Sequence, residues 1–251
     1  MAKSRSALAL KPAAPKPAAG KAPALKPVPA TAVSPSTVQP ALRLQAYEGF
    51  RQQLLESHLR PGEFVSQRKL CALLGLPLGA IREVIPRLEA EGLIKTVPQR
   101  GLQIANVDLK LVKNAFQLRT ILEREGALRY GEIATDEELD TLAAEYRSII
   151  DRAARGVTRE LLDEAQAADW GLHDRMIDSL GNEIVSQIYR VNMLRIKLIR
   201  LDRVVLTAEA LSPAMKEHLE VVAALRTRRP KEIAAAIEKH LTSARDRALG
   251  L

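Results

Sequence analysis

Apolar side chains in residues 41–106 recur at intervals of three and four, the spacing of one helix face, and then change to short β-type runs. Ser66 is suited to cap the second helix, and Gly101 permits a tight turn between the strands. The helices are predicted over 42–55, 67–74 and 77–91, and the strands over 93–97 and 102–105. The residues expected to pack against the first helix are Leu70, Leu73, Leu74, Ile81, Ile85 and Leu88. Three helices and a hairpin predict a winged helix-turn-helix, whose third helix enters the major groove of DNA.

Residues 107–251 repeat the helical spacing without the alternation that is typical of strands. Thr135, followed three residues later by Glu138, forms a capping-box signature at the start of one of these helices. Six helices are predicted, over 107–133, 135–155, 158–180, 182–205, 213–228 and 230–250. The predicted fold class is therefore mostly α, with an N-terminal winged helix-turn-helix and a C-terminal six-helix bundle large enough to enclose a cavity.

Residues 1–40 have a different composition, with eight prolines, eleven alanines, six basic residues and no acidic residue. Repeated prolines remove backbone donors and disfavour helix, and too little apolar surface is present to offset the chain entropy of folding. We expect a disordered basic arm. It is either a solubilising tail or a segment attracted to DNA phosphates independently of sequence.

Charge and composition narrow the class of protein further. The arm carries six of the eight net positive charges, so the remainder is nearly neutral and its charge alone does not indicate nucleic-acid binding. A single cysteine, Cys71, excludes an intramolecular disulfide and a cysteine-rich zinc finger. No apolar run approaches the length of a membrane span, so no membrane partner is expected.

The N-terminal motifs resemble those of GntR-type regulators, in order and in spacing. The matching runs are Leu59-Arg60-Pro61-Gly62-Glu63, then 68–75, 81–94, and Pro98-Gln99-Arg100-Gly101. The resemblance implies that DNA is contacted by Arg68, Arg82, Gln99, Arg100 and Gly101. From the residues alone, each arginine could instead lie on a solvated helix face. The chain departs from the family pattern at Pro77-Leu78-Gly79-Ala80, and Pro86 inside the third helix is expected to remove a helical hydrogen bond.

Three of the four histidines fall on different predicted helices of the bundle. Asp169 precedes His173 by four residues, so both side chains project from one helix face, and His218 and His240 lie on two further helices. Three imidazole nitrogens and one carboxylate would suit Zn²⁺, Ni²⁺ or a similar ion. Each histidine taken singly also fits an ordinary core or surface position.

The bundle motifs resemble the metal-binding FadR-type (FCD) effector domain. They are Asp169-Trp170-Gly171-Leu172-His173, Leu180-Gly181-Asn182, Glu217-His218 and His240, together with Arg119 and Glu123 in the first bundle helix. The resemblance implies a divalent metal at Asp169, His173, His218 and His240, with Zn²⁺ as first choice and Ni²⁺ or Mn²⁺ as alternatives. It also implies a small carboxylate effector, for which Arg119, Asn182 and Arg195 are the candidate contacts. Arg119 could instead form an internal ion pair with Glu123.

Together these features predict a bacterial regulator, in the cytoplasm and associated with the nucleoid. It would bind a pseudo-palindromic operator as a homodimer, with repression released by ligand as the family expectation. The domains are expected at 1–40, 41–106 and 107–251. Two alternatives are a metal-dependent enzyme built on a helical bundle and an architectural DNA-binding protein that uses the basic arm.

Overall fold

The computed structural model describes residues 40–203 and 208–250. The predicted arm, residues 1–40, therefore lies outside the described residues except for Pro40, where the first helix begins. The described residues form a winged helix-turn-helix followed by a helical bundle, which confirms the predicted fold class.

The winged helix contains three helices and a small antiparallel sheet. Its elements are α1 (Pro40–Leu55), β1 (Phe64–Val65), α2 (Gln67–Leu74), α3 (Leu78–Ala90), β2 (Ile94–Val97) and β3 (Gly101–Ile104). The strand order is β1-β3-β2, and Val97 pairs with Gly101 at the hairpin end. The two-residue strand β1 was not predicted, because so short a segment has no periodicity of its own.

Local sequence signals fix the ends of these elements. The Ser66 hydroxyl accepts a hydrogen bond from the amide of Lys69 (3.1 Å), as a helix N-cap does. Gly101 has φ of 95°, and a Cβ there would lie 3.1 Å from the carbonyl oxygen of Val65. A residue without a side chain is therefore required where the wing turns towards β1. The helix α3 continues through Pro86 to Ala90, although proline supplies no amide donor.

The core of the winged helix is apolar, and four of the six predicted residues are buried in it: Leu70, Ile81, Ile85 and Leu88. Leu73 and Leu74 are half-buried and pack against the same cluster. Two fully packed leucines of the bundle, Leu194 and Leu198, complete this core.

The bundle contains six described helices, as predicted. They are α4 (Leu109–Ile133), α5 (Asp136–Ala153), α6 (Arg159–Asp178), α7 (Glu183–Arg203), α8 (Ala208–Arg226) and α9 (Pro230–Leu249). The capping box is present, since the amide of Glu138 donates to Thr135 Oγ1 (3.1 Å) and the amide of Thr135 donates to Glu138 Oε2 (2.9 Å). The start of α8 lies five residues before its predicted position, because Pro213 is accommodated within the helix instead of beginning it.

Helix α4 is central and packs against α6, α7 and α9, while α5 packs against α8. At Gly126 the backbone of α4 lies close to α6, since a Cβ there would lie 2.6 Å from the carbonyl oxygen of Met176. Within the described ranges, no helix is long and apolar enough to cross a lipid bilayer.

We expect Gly126→Ala to lower the free energy of unfolding by about 1–3 kcal/mol, since the new methyl group would press against the α6 backbone. Gly171→Ala is a matched control, because a Cβ there meets only the flexible end of Arg175, at 3.4 Å. It should be neutral or should stabilise the helix by up to about 1 kcal/mol. Urea unfolding followed by circular dichroism measures both changes. Equal stability of the two variants would contradict the close α4–α6 contact.

Candidate metal and anion site

Four side chains from three helices converge on one point inside the bundle. Asp169 and His173 come from α6, His218 from α8 and His240 from α9, and one donor atom of each lies within 4.8 Å of the others. Nε2 of His173 is 3.3 Å from Nε2 of His218 and 3.3 Å from Nε2 of His240. Oδ1 of Asp169 is 3.1 Å from Nε2 of His218. The structure thus brings together the four residues that the sequence singled out.

These separations fit a single bound ion. Two ligand atoms that each lie 2.0–2.1 Å from a tetrahedral metal ion are about 3.3 Å apart. Without an ion, three buried imidazole nitrogens and a carboxylate oxygen would face one another at close range. This cluster could therefore bind a metal ion.

A further contact at each Nδ1 orients the three imidazole rings. Nδ1 of His173 lies 2.7 Å from Oε2 of Glu123, and Nδ1 of His240 lies 3.0 Å from Oε2 of Glu217. Nδ1 of His218 donates to the carbonyl oxygen of Ala214 (2.8 Å). An oxygen atom within 3.0 Å of every Nδ1 favours the tautomer protonated there, which leaves the Nε2 lone pairs free to bind an ion.

Burial favours the neutral form of two of these histidines, His173 and His240. It lowers the pKa of His173, and together with the neighbouring His218 it lowers the pKa of His240 to about 3. Both imidazoles are consequently uncharged near pH 7. The neutral ring is the form that binds metals.

The residue behind His173 is a fully buried carboxylate, Glu123. Its Oε1 accepts hydrogen bonds from Arg119 Nε (2.5 Å) and from the Tyr189 hydroxyl (3.0 Å). Burial raises the pKa of Glu123, but the charge of Arg119 and the contact with His173 outweigh it, so the pKa is lowered to about 2. The internal ion pair considered for Arg119 is therefore present.

A cavity of about 50 Å³ adjoins the cluster, and Asp169 and His240 form part of its wall. Three arginines line the same cavity: Arg119, Arg200 and Arg247. Nη1 of Arg200 donates to Oδ2 of Asp169 (2.9 Å), and Arg247 pairs with Glu217. The cavity thus combines a candidate metal site with three guanidinium groups, a combination that attracts anions.

Arg200 and Arg247 line this cavity but were not among the candidates from the sequence, and two of those candidates lie outside it. Asn182 is exposed and caps α7, since its Oδ1 accepts from the amides of Ile184 (3.0 Å) and Val185 (3.2 Å). Arg195 donates through Nη2 to the carbonyl oxygen of Glu91 (2.5 Å). Neither residue lines the cavity. On α7, Arg195 and Arg200 are both arginines in an amphipathic helix, and no local signal distinguishes their partners.

The candidate DNA contacts lie on α2, α3 and the hairpin. Arg68, Arg82, Gln99 and Arg100 are exposed. Arg82 Nε donates to Gln67 Oε1 (3.2 Å), so α3 is tied to α2 at this point. The guanidinium of Arg100 lies 3.8 Å from the centre of the Phe64 ring, and Gly101 follows it at the start of β3. These are the elements with which winged helices approach DNA.

Comparison with known families divides the chain in the same way. Residues 42–104 match the family described as bacterial regulatory proteins, gntR family, and residues 114–243 match the FCD domain. The second match alone covers more than half of the chain.

Similar proteins extend over most of the sequence. The Nta operon transcriptional regulator of Aminobacter aminovorans is 24% identical over 192 residues, which are 76% of this chain and 87% of that protein. The HTH-type transcriptional repressor GlaR of Escherichia coli K12 is 23% identical over 203 residues, 79% and 91% of the two chains. These relatives are transcriptional regulators and not enzymes, which argues against the metal-dependent enzyme alternative.

Solved structures show the same fold. A GntR transcriptional regulator from Rhodococcus sp. RHA1 superposes with a TM-score of 0.66 at 16% identity, over 84% of this chain and 98% of that one. McbR/YncC of E. coli superposes with a TM-score of 0.63 at 15% identity, over 80% and 94%. With a gntR-type winged helix, an FCD domain and an Asp/His cluster in the predicted place, the chain belongs to the GntR family of transcriptional regulators, in the FadR-type group that carries an FCD domain.

Proposed function

We propose that this protein is a homodimeric regulator whose affinity for a pseudo-palindromic operator is controlled by a small carboxylate bound at a metal ion inside the FCD domain. The observation that carries the proposal is the cavity in which Asp169 and His240 of the ion cluster meet three arginines. An architectural DNA-binding role would not account for this buried site.

Zn²⁺ is the ion we favour. Three imidazole nitrogens and one carboxylate suit a borderline ion, and all four residues are buried in the bundle. Ni²⁺ and Mn²⁺ accept the same donors with more open coordination positions. Ni²⁺ and Mn²⁺, and Zn²⁺ when it expands to five ligands, would leave a position for an oxygen atom of an anion.

The effector we infer is a small organic acid. Guanidinium groups hold carboxylates through charge-assisted hydrogen bonds, and Arg119, Arg200 and Arg247 surround the cavity. Arg119 uses only Nε for Glu123 in the described hydrogen bonds, so its terminal nitrogens can serve an anion as well. A cavity of about 50 Å³ favours the smallest acids over bulky ones.

The DNA-binding surface is formed by α2, α3 and the wing. Exposed Arg68 and Arg82 are suited to phosphates or base edges, and Gln99, Arg100 and Gly101 form the tip of the hairpin. A protein that acts in this way works in the bacterial cytoplasm, on the nucleoid. Repression that is relieved by the acid is the regulatory sign we propose.

A second copy of the chain is the proposed partner of α4 and α7. These helices lie side by side, joined by the hydrogen bond from Asn192 to the carbonyl of Ala115 (2.9 Å). Both expose large aliphatic side chains, with Ile121 at 56%, Ile184 at 70% and Ile188 at 46%. A two-fold dimer on a two-fold operator would bury these groups on both subunits.

Metal binding is tested with His173→Ala and, as a control, with His58→Ala, whose imidazole is exposed in the winged helix. After Zn²⁺ loading and dialysis of the full chain, wild type and the control should retain about one ion per chain by elemental analysis. His173→Ala should retain almost none, because it loses the nitrogen that lies 3.3 Å from Nε2 of both His218 and His240. Full retention by this variant would show that the ligand assignment is wrong.

DNA binding is tested on operator fragments that the wild type selects from a random-sequence pool. Arg82→Ala should weaken binding about tenfold or more, since a contact to a base or phosphate is lost. Arg147→Ala, on an exposed position of α5, should leave binding unchanged. Electrophoretic mobility shifts at fixed salt measure both. Equal binding by Arg82→Ala and wild type would show that α3 is not part of the DNA interface.

Dimer formation is tested by sedimentation at several concentrations. Ile188→Glu should shift the full-length protein to monomer, since a charge would be buried in the proposed interface. Leu44→Glu, at a similarly exposed leucine of α1, should remain dimeric. A dimer that survives Ile188→Glu and dissociates with Leu44→Glu would place the interface elsewhere.

A further inference from the structure

Helix α7 takes part in both halves of the described chain. On one side, Leu194 and Leu198 are buried in the core of the winged helix. On another, Met193, Ile196 and Ile199 pack in the cluster that α4 and α6 share. A displacement of α7 therefore disturbs the winged helix and the bundle together, because close-packed cores do not deform smoothly.

A polar contact adds to the leucines where α7 meets the recognition helix α3. Nη2 of Arg195 donates to the carbonyl oxygen of Glu91, the C-cap residue of α3. The carboxylate of Glu91 also accepts from the Tyr47 hydroxyl of α1 (2.7 Å) and from Arg87 (2.9 Å). The C-terminal end of α3 is thus held by α1 and α7 at one residue.

Five residues further along α7, Arg200 reaches the candidate metal site. Its Nη1 donates to Oδ2 of Asp169 (2.9 Å), while Oδ1 of the same carboxylate faces His218 (3.1 Å). With Oδ2 engaged in this way, Oδ1 is the oxygen left to bind an ion. Five residues correspond to about 7.5 Å along a helix axis, so one rigid segment carries both arginines.

We propose that Arg200 positions Asp169 for the ion and that it transmits anion binding through α7 to the end of the recognition helix. The inference rests on the proposed function. It names the residue that couples anion binding in the bundle to DNA binding by the winged helix. An anion in the cavity competes with Oδ2 of Asp169 for the Arg200 guanidinium. The resulting change in the Arg200 contact shifts α7, and Arg195 with its two leucine neighbours carries the shift to α3.

The other two arginines of the cavity are less suited to this role. Arg119 is fixed by the buried Glu123, and Arg247 pairs with Glu217 through two hydrogen bonds (2.5 and 3.0 Å). Both lie on helices, α4 and α9, that contribute no buried residue to the described core of the winged helix. Arg200 alone of the three stands on a helix that does.

The fluorescence emission of a tryptophan next to Asp169 can report this movement of α7. Trp170 is the single tryptophan of the sequence and directly follows Asp169. Nζ of Lys197 on α7 lies 3.8 Å from the centre of its ring. A shift of α7 relative to α6 moves this charge over the indole, so it changes the emission of Trp170.

The experiment uses the full chain loaded with Zn²⁺, with acetate as the probe anion and a wild-type-selected DNA fragment as the operator. The variants are Arg200→Gln, Arg195→Gln and, as a control on the same helix, the exposed Arg190→Gln. The measurements are Zn²⁺ affinity by competition with a chelator, Trp170 emission during acetate titration, and DNA affinity with and without acetate.

In wild type and Arg190→Gln, acetate should change Trp170 emission and alter DNA affinity about fivefold or more. Arg200→Gln should weaken Zn²⁺ binding about 10- to 100-fold and, at saturating Zn²⁺, lose both acetate responses. Arg195→Gln should keep Zn²⁺ affinity and the emission change but lose the effect of acetate on DNA affinity. A variant that was only destabilised would not be expected to lose the DNA response while keeping Zn²⁺ affinity and the emission change.

Unchanged Zn²⁺ affinity and unchanged acetate responses in Arg200→Gln would overturn the inference, as would full coupling in Arg195→Gln. A wild type that binds Zn²⁺ and DNA but shows no acetate response in either readout would also overturn it, while metal and DNA binding would stand. A wild type that binds neither Zn²⁺ nor a selected DNA fragment would overturn the proposed function itself.

Discussion

The buried carboxylate of Glu123 is the interaction on which the rest of the site depends. It has no exposed surface, and it joins three helices by contacting Arg119 on its own helix, His173 on α6 and Tyr189 on α7. An isolated buried charge is costly, and removing one partner of a buried pair costs about 3–5 kcal/mol. The carboxylate is therefore tolerated only with its partners in place. Their positions in turn fix the ring of His173 and the location of the first arginine of the cavity.

Features that depend on near neighbours in the chain could be predicted from the sequence. The caps at Ser66 and Thr135 and the Asp169–His173 pair follow from spacings of three or four residues, and they are present in the structure. Apolar periodicity likewise located the helices, with their ends displaced by a few residues where a proline such as Pro213 fits inside the helix.

Features that depend on long side chains and distant partners could not be predicted. Arg195 and Arg200 belong to the same helix and have the same chemistry, yet one reaches a backbone carbonyl of the winged helix and the other a carboxylate of α6. Which partner each reaches is decided by how α7 packs, and this is a tertiary property. Asn182 is the opposite case. Its role as a helix cap depends on near neighbours in the chain, whereas the effector role was inferred only from resemblance.

The two leucines that α7 inserts into the winged helix have a consequence for how the chain can be divided. The boundary near residue 106, drawn from the sequence, separates the elements of the two halves but cuts through one hydrophobic core. A fragment that ends there would expose the apolar surface that Leu194 and Leu198 cover. The DNA-reading half is thus not an interchangeable module. Replacing the winged helix of this chain requires that the matching segment of α7 be replaced with it.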